Sequence, residues 1–284
     1  METGMPTFEV PEEYREAEKE SKEFEEELKE EEEEKVTEAH KEPKVIVIFP
    51  ARNEEKTIGQ CIDTVKKSKY HPSIIVADGH STDKTREVAE KAGAKVVISP
   101  RRIHPGKGLA MRTGLQAALE ENPDIVLFMD SDLENLTPEW VDKLIDGIVI
   151  DGFDMTRGSY YRSAEDAPVT KLVAKRLLWV FFPEISHFEQ PLTGEVAAKV
   201  QVWRELLKND LPDGWGIDVT ILIETEMLGY RMKEVFLGFK QHRSYRKYRE
   251  DPGKLGRMAE QVAIAILKLA KKYERIDNID EIQC

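Results

Sequence analysis

Asp130-Ser131-Asp132 carries two carboxylates one residue apart, directly after the apolar run Ile125 to Met129. Carboxylates at that spacing can share a hard divalent cation that also takes phosphate oxygens. The plainer alternative is an Asp-rich turn that caps the next helix, since aspartate is a favoured turn residue. Other groups have the types a phosphorylated ligand needs. Pro105-Gly106-Lys107-Gly108 sets an amine between two glycines where a helix begins, which brings a cation and backbone N–H groups toward a phosphate. It lacks the Gly-x-x-x-x-Gly-Lys-Ser/Thr spacing of an ATPase loop. In Asp78-Gly79-His80-Ser81, Asp78 can accept from a nucleobase N–H or a ribose hydroxyl, and Gly79 permits a tight turn. Ser81 serves either as a base contact or as the cap of the following helix.

Each of these groups needs an element to hold it, and the hydrophobic pattern supplies one. Ile125 to Met129 is too short for a membrane span and too unbroken for a half-exposed strand, so it reads as a strand buried on both faces. Lys44 to Phe49, Ser73 to Ala77 and Lys95 to Ser99 read as further strands. Between them lie a helix capped by Asn53 and bearing Ile58, Cys61, Ile62 and Val65, and a second capped by Ser81 or Thr82 and ending at Gly93. A helix with Leu109, Met111, Leu115 and Leu119 leads into the Asp124 strand, and Thr137-Pro138-Glu139 opens another. Strands separated by helices of this length imply an α/β fold with a mainly parallel sheet, in which ligands bind at the carboxyl ends of the strands.

After Gly152 the alternation is less regular. Strands are expected at 154–161 and 230–239, a helix at 169–182, a short strand followed by a helix within 194–207, and helices at 219–228 and 255–273. The predicted organisation is an acidic arm over residues 1–42 and one domain over 43–284, with a nucleotide-binding half (43–150) and an acceptor-binding half (151–284). The arm is Glu- and Lys-rich with a thin stripe of Tyr14, Phe24 and Leu28, and reads as a solvated helix or disordered tail. Its alternative is a helix that binds a partner or pairs the chain into a homodimer.

Composition excludes several classes. With 284 residues, 40% of them hydrophobic, the chain can bury a sizeable core, so disorder throughout is excluded. A net charge of −13 argues against a nucleic acid as the main partner, because that affinity comes from Lys and Arg on phosphates. Two cysteines, Cys61 and Cys284, make neither a disulfide framework nor a zinc site. No run of about 20 apolar residues is present, so no stable membrane insertion is expected and a cytoplasmic location is.

Taken together, Val47-Ile-Phe-Pro-Ala-Arg-Asn-Glu-Glu55, Asp78-Gly-His-Ser-Thr-Asp83, Gly106-Lys-Gly108 and Asp130-Ser-Asp132 resemble the nucleotide-sugar glycosyltransferases of the GT-A fold. Ser159-Tyr-Tyr-Arg162, Gln190-Pro-Leu-Thr-Gly-Glu195, Gly214-Trp-Gly-Ile-Asp218 and Leu237-Gly-Phe-Lys-Gln-His-Arg243 narrow the resemblance to the glucosyl-3-phosphoglycerate synthases, a retaining family. The resemblance runs in order from about residue 44 to 270. It implies transfer of a hexose, glucose foremost, from a nucleoside-diphosphate sugar such as UDP-glucose to a small hydroxylated, anionic acceptor. It also implies an Mg²⁺ or Mn²⁺ cofactor. Pro50, Arg52 and Glu54 would line the uridine and ribose, Ser81 the uracil and Lys107 the diphosphate. Asp132 and His242 would ligate the metal, and Asp130 would face the sugar. Asp218 and Lys240 stand where the family has Glu and usually Arg, keeping the charges. Arg162, Thr170, Thr193 and Gly194 would line the acceptor.

The acceptor loop departs from that family. Pro168 stands where a phosphate-binding Arg is expected, and Asp166 would repel a phosphate. Lys171 and Lys175 could replace the charge, or belong to a solvated helix face. 3-Phosphoglycerate remains the first candidate, with glycerate or another phosphorylated polyol behind it. The other readings are a GDP-mannose-dependent or lipid-phosphate glycosyltransferase, a nucleotidyltransferase, or a non-catalytic interaction protein. The Gly-rich, basic loop that a nucleotidyltransferase carries after its first strand is missing.

Overall fold

The computed structural model describes residues 42–101, 106–161, 167–241 and 252–276. The expectations for the arm up to residue 41, and those for Arg162, Asp166 and His242, lie outside them. Seven strands form one sheet: β1 (Val45–Ala51), β2 (Ser73–Asp78), β3 (Lys95–Ile98), β4 (Ile125–Phe128), β5 (Met155–Tyr161), β6 (Val196–Lys199) and β7 (Met232–Phe239). Their order is β3-β2-β1-β4-β6-β5-β7. β1 is central because both of its faces are apolar: Val45, Val47 and Phe49 look one way, Ile46 and Ile48 the other, and all are buried.

Helices cover both faces. α1 (Ile58–Val65), α2 (Thr85–Lys91) and α4 (Pro138–Val149) bury their apolar residues with the Val47 and Phe49 side. On the opposite side lie α3 (Lys107–Leu119), α6 (Val200–Leu206) and α7 (Ile217–Met227). α7 also faces a third cluster with α5 (Lys175–Phe181) and α8 (Pro252–Lys272), which accounts for apolar residues around most of its circumference.

The α/β expectation holds, with β1, β2, β3 and β4 parallel and β5 parallel to β7. β6 runs antiparallel to both β4 and β5, and that insertion builds the site. The helix expected over 169–182 is a π-turn, Thr170–Ala174, followed by α5. Two expected caps are also different. Asn53 does not cap α1, whose N-cap is Thr57; Asn53 takes a left-handed conformation (φ 58°) and its side-chain oxygen accepts from the Thr82 N–H at 2.8 Å. Neither Ser81 nor Thr82 caps α2, because Asp83 accepts from the Thr85 N–H at 3.0 Å. These polar side chains tie one strand-end loop to another, and the helices begin a few residues later.

Candidate active site

The parallel strands β1, β2 and β4 end on one edge of the sheet, and the loops beyond β1 and β2 are sewn together there. Gly79 N–H donates to the Ala51 carbonyl at 2.8 Å, and Asn53 N–H to the Ser81 hydroxyl at 3.0 Å. Asp78 is fully buried and accepts from the Ser81 N–H at 3.1 Å, with the Arg86 guanidinium 3.4 Å away. Ser81 and Glu54 are buried in the same crevice, while Arg52 is exposed. The Ser131 hydroxyl donates to the Pro50 carbonyl at 2.9 Å, and Thr57 Oγ1 to the Ser131 carbonyl at 2.8 Å. Those bonds fix the backbone between Asp130 and Asp132.

The next segment is placed by β6. Its antiparallel register with β4 pairs Val196 with Phe128, so continuing the ladder sets Gly194 opposite Asp130. A Cβ at position 194 would run into the Asp130 carboxylate. On the other side of β6, Arg157 pairs with Val196 and Gly158 N–H donates to the Glu195 carbonyl at 2.8 Å. β7 then delivers Lys240 beside the end of β5, where its N–H meets the Tyr161 carbonyl.

Five charged side chains from separate elements form a row of alternating sign. The Lys240 amine donates to both oxygens of Glu195 at 2.8 and 2.9 Å and to Asp130 Oδ2 at 2.8 Å. Lys107 Nζ lies 3.2 Å from Asp130 Oδ1 and 2.9 Å from Asp218 Oδ2. Burial works against the charge on Lys107, but Asp130 and Asp218 carry its pKa above the usual lysine range. Burial likewise opposes ionisation of Asp130, yet the two lysines hold its carboxyl well below the ordinary range. Asp218 goes the other way: burial and the neighbouring Asp130 raise it although Lys107 pulls it down.

The two glycines around Lys107 serve this row as well as any phosphate. Gly106 and Gly108 lie against the backbone of Pro212 to Gly214, where a Cβ on either would clash. Leu109 N–H donates to the Asp213 carbonyl at 3.0 Å, and Arg112 bonds Leu211 and Asp213. The start of α3 is thereby locked to the loop before α7, which brings Lys107 onto Asp218.

Asp130 and Asp132 are not engaged alike. Both oxygens of Asp130 face lysines, whereas Asp132 is buried two residues further along. A carboxylate oxygen at a strand end, with phosphate oxygens from a ligand, is a donor set suited to Mg²⁺ or Mn²⁺. Burial, and after it the nearby Asp132 charge, pushes the Cys61 thiol up to about 12. Among the described residues no three His, Cys, Asp or Glu side chains gather for a metal.

Of the expected acceptor residues, Thr193 is fully buried and donates to Glu195 at 2.9 Å, and Thr170 is buried at the first position of the π-turn. Ala167 precedes Pro168 in a left-handed conformation (φ 61°), an unusual one for a residue with a Cβ. Lys175 pairs with Glu189 at 2.8 Å, so its charge is already shared. The sequence reading missed Glu195, Tyr160 and Arg157 as members of the site. Arg157 is fully buried and donates to the Pro191 and Asp218 carbonyls at 3.0 and 3.2 Å, with burial lowering its pKa to about 10.

A Gly194→Ala variant follows from the register. Its methyl group would push the Asp130 carboxylate away from Lys107 and Lys240, and kcat is expected to fall about 10²-fold, the scale of a 1 Å misplacement. Steady-state kinetics on the folded variant check this.

The model of glycosyl transferase family 2 matches residues 46–207. The chain is 37% identical over 220 residues to the glucosyl-3-phosphoglycerate synthase of Mycolicibacterium smegmatis, covering 70% of each protein. It is 30% identical over 270 residues to that of Petrotoga mobilis, covering 85% of this chain and 78% of the relative. Among solved structures, glucosyl-3-phosphoglycerate synthase of Mycobacterium tuberculosis in complex with Mn²⁺, UDP-glucose and phosphoglyceric acid superimposes with a TM-score of 0.71 at 33% identity. That match covers 82% of this chain and 81% of the other.

Proposed function

The chain belongs to glycosyl transferase family 2, and from that premise we propose that it transfers glucose from UDP-glucose to a hydroxyl of 3-phosphoglycerate, with retention of configuration and with Mg²⁺ or Mn²⁺. The observation that carries this reading is the alternating row Glu195, Lys240, Asp130, Lys107 and Asp218, set beside the crevice formed by Pro50 to Glu54 and Asp78 to Ser81.

The roles follow from charge. Lys107 stays cationic at neutral pH, so it can turn from Asp130 toward the diphosphate and offset the negative charge that grows there as the sugar leaves. Asp130 is ionised under the same conditions and accepts hydrogen bonds from sugar hydroxyls, with Lys240 behind it. Asp218 lies on the far side of Lys107 and orients the hexose. When bound, the cation held by Asp132 with His242 would supply Lewis-acid stabilisation of the diphosphate oxygens. Pro50, Arg52, Glu54, Asp78 and Ser81 take the nucleoside.

The acceptor-binding role is assigned to Arg162, Thr170, Thr193 and Gly194, with Lys171 near the start of the π-turn. Residues 43–150 form the nucleotide half and 151–284 the acceptor half of one catalytic domain, with residues 1–42 a separate arm. Among the described residues no helix is long and apolar enough to cross a membrane, and a cytoplasmic location is part of the proposal. So is a homodimer, supported by the exposed apolar side chains Leu172, Trp179 and Val180.

Incubating the enzyme with Mg²⁺ or Mn²⁺ and a panel of sugar nucleotides and acceptors tests the reading. UDP-glucose with 3-phosphoglycerate is expected to give UDP and an α-linked product, identified by mass and by the anomeric proton coupling. Turnover confined to GDP-mannose, or transfer to a polyprenyl phosphate alone, would replace the donor or acceptor named here. Release of pyrophosphate would point to nucleotidyl transfer.

A further inference from the structure

Lys240 is 3% exposed and Glu195 is fully buried, so each charge depends on the other for solvation. An ammonium has three N–H donors, and those of Lys240 have three matching partners. They are Asp130 Oδ2 at 2.8 Å, the Glu195 carboxylate at 2.8 and 2.9 Å, and Tyr160 Oη at 3.3 Å. The Tyr160 hydroxyl donates to Thr193 Oγ1 at 3.4 Å, and Thr193 Oγ1 donates to Glu195 Oε2 at 2.9 Å. The Glu195 backbone is held in turn, its carbonyl accepting from Gly158 N–H.

The geometry points to Glu195 as a positioning residue for glycosyl transfer: it fixes the Lys240 amine against Asp130, so that Asp130 keeps one cation when Lys107 turns to the donor's diphosphate. Three successive residues then serve one carboxylate. Thr193 orients Glu195, Gly194 leaves room for Asp130, and Glu195 sets the lysine that Asp130 faces. Without Glu195, Lys240 would keep Asp130 but lose the buried carboxylate that shares its charge. Its amine would shift toward Asp130 and draw that carboxylate off the sugar.

This inference rests on the glycosyl-transfer reading, so it is tested with the donor and acceptor that the wild-type enzyme turns over in the panel above. Glu195→Gln, which removes the charge at nearly constant shape, is expected to lower kcat about 10²-fold while leaving calorimetric UDP binding with Mn²⁺ within about threefold of wild type. Glu195→Asp keeps the charge one methylene short and should give an intermediate kcat. A folded Glu195→Gln enzyme with wild-type kcat, or one that loses UDP affinity by the same factor as kcat, overturns the role of Glu195. A wild-type enzyme that turns over no sugar nucleotide overturns the parent reading and this inference with it. If Glu195→Gln does not fold, Thr193→Val decides. Removing the hydroxyl that orients Glu195 should lower kcat roughly fivefold with UDP binding and the KM for the acceptor intact; full activity, or a loss that lies in the acceptor KM alone, overturns the proposal.

Discussion

Replacing Lys107 by alanine is expected to lower kcat by about 10³-fold, the scale seen when one preorganised donor to a developing charge is lost. Two effects combine. The leaving diphosphate would lose the cation proposed to face it, and Asp130 and Asp218 are left facing each other with one cation fewer between them. The second effect gives a signature in pH. Asp218 already holds its proton more tightly than an ordinary carboxyl, through burial, and Lys107, ahead of Arg157, pulls it back down. Without that amine its pKa rises further, so the acid limb of the kcat profile should move to higher pH in the variant. In the wild type that limb should already lie above the usual aspartate range. The same raised pKa means that the folded state binds the Asp218 proton more strongly than the unfolded chain does. This contribution to stability is present below the unfolded pKa and is lost as pH rises through the folded one. Lys107→Arg keeps the charge but replaces a compact ammonium with a planar fork, and should recover only part of the rate. A Lys107→Ala enzyme with an unmoved acid limb would separate Asp218 from the row.

How much of this was legible in the sequence depends on how far apart the interacting residues lie. The nucleotide half could be read because each element is local: an apolar run buried on both faces makes a strand, and its polar residues follow at once at the carboxyl end. Asp78, Ser81 and Asp130 were singled out that way, and Lys107 by the two glycines that flank it where a helix begins. The acceptor half depends on β6, a four-residue strand of Val-Ala-Ala-Lys between two partners that it meets antiparallel. Nothing local announces that pairing. Glu195 was part of a recognised stretch, but its role is set by Lys240, 45 residues away, and that of Lys107 by Asp218, 111 residues away. The available signal was a glutamate running straight into a buried small-residue strand, a placement that requires a cation nearby.

The helix starts failed for a different reason. Asn53, Ser81 and Thr82 have the right types for caps, but the same donors and acceptors can bond across two loops that are adjacent only in the fold. Gly106 and Gly108 were read as bringing a cation and backbone N–H groups toward a phosphate; that both positions also lie against the backbone of Pro212 to Gly214 could not be read from their own segment. In the caps, a residue was assigned to its own segment when a distant segment takes its hydrogen bond.

Removing the divalent cation, or replacing Asp132 by alanine, should reduce turnover by about 10³-fold or more, since a Lewis acid on the diphosphate contributes several kcal/mol to such a transfer. The geometry makes the effect specific to one of two neighbouring aspartates. Asp130 directs both oxygens at Lys107 and Lys240, whereas Asp132 lies two residues further along a turn in which Ser131 and Thr57 make backbone-fixing bonds. The two variants should therefore fail differently. Asp132→Ala should abolish the strengthening of UDP binding by Mn²⁺ in a calorimetric titration, whereas Asp130→Asn should keep that strengthening and lose kcat. Chelation of the wild-type enzyme should reproduce the Asp132→Ala phenotype, and added Mn²⁺ should reverse it for the wild type alone. If UDP binds Asp132→Ala as strongly with Mn²⁺ as it binds wild type, the cation is held elsewhere and the assignment to Asp132 falls.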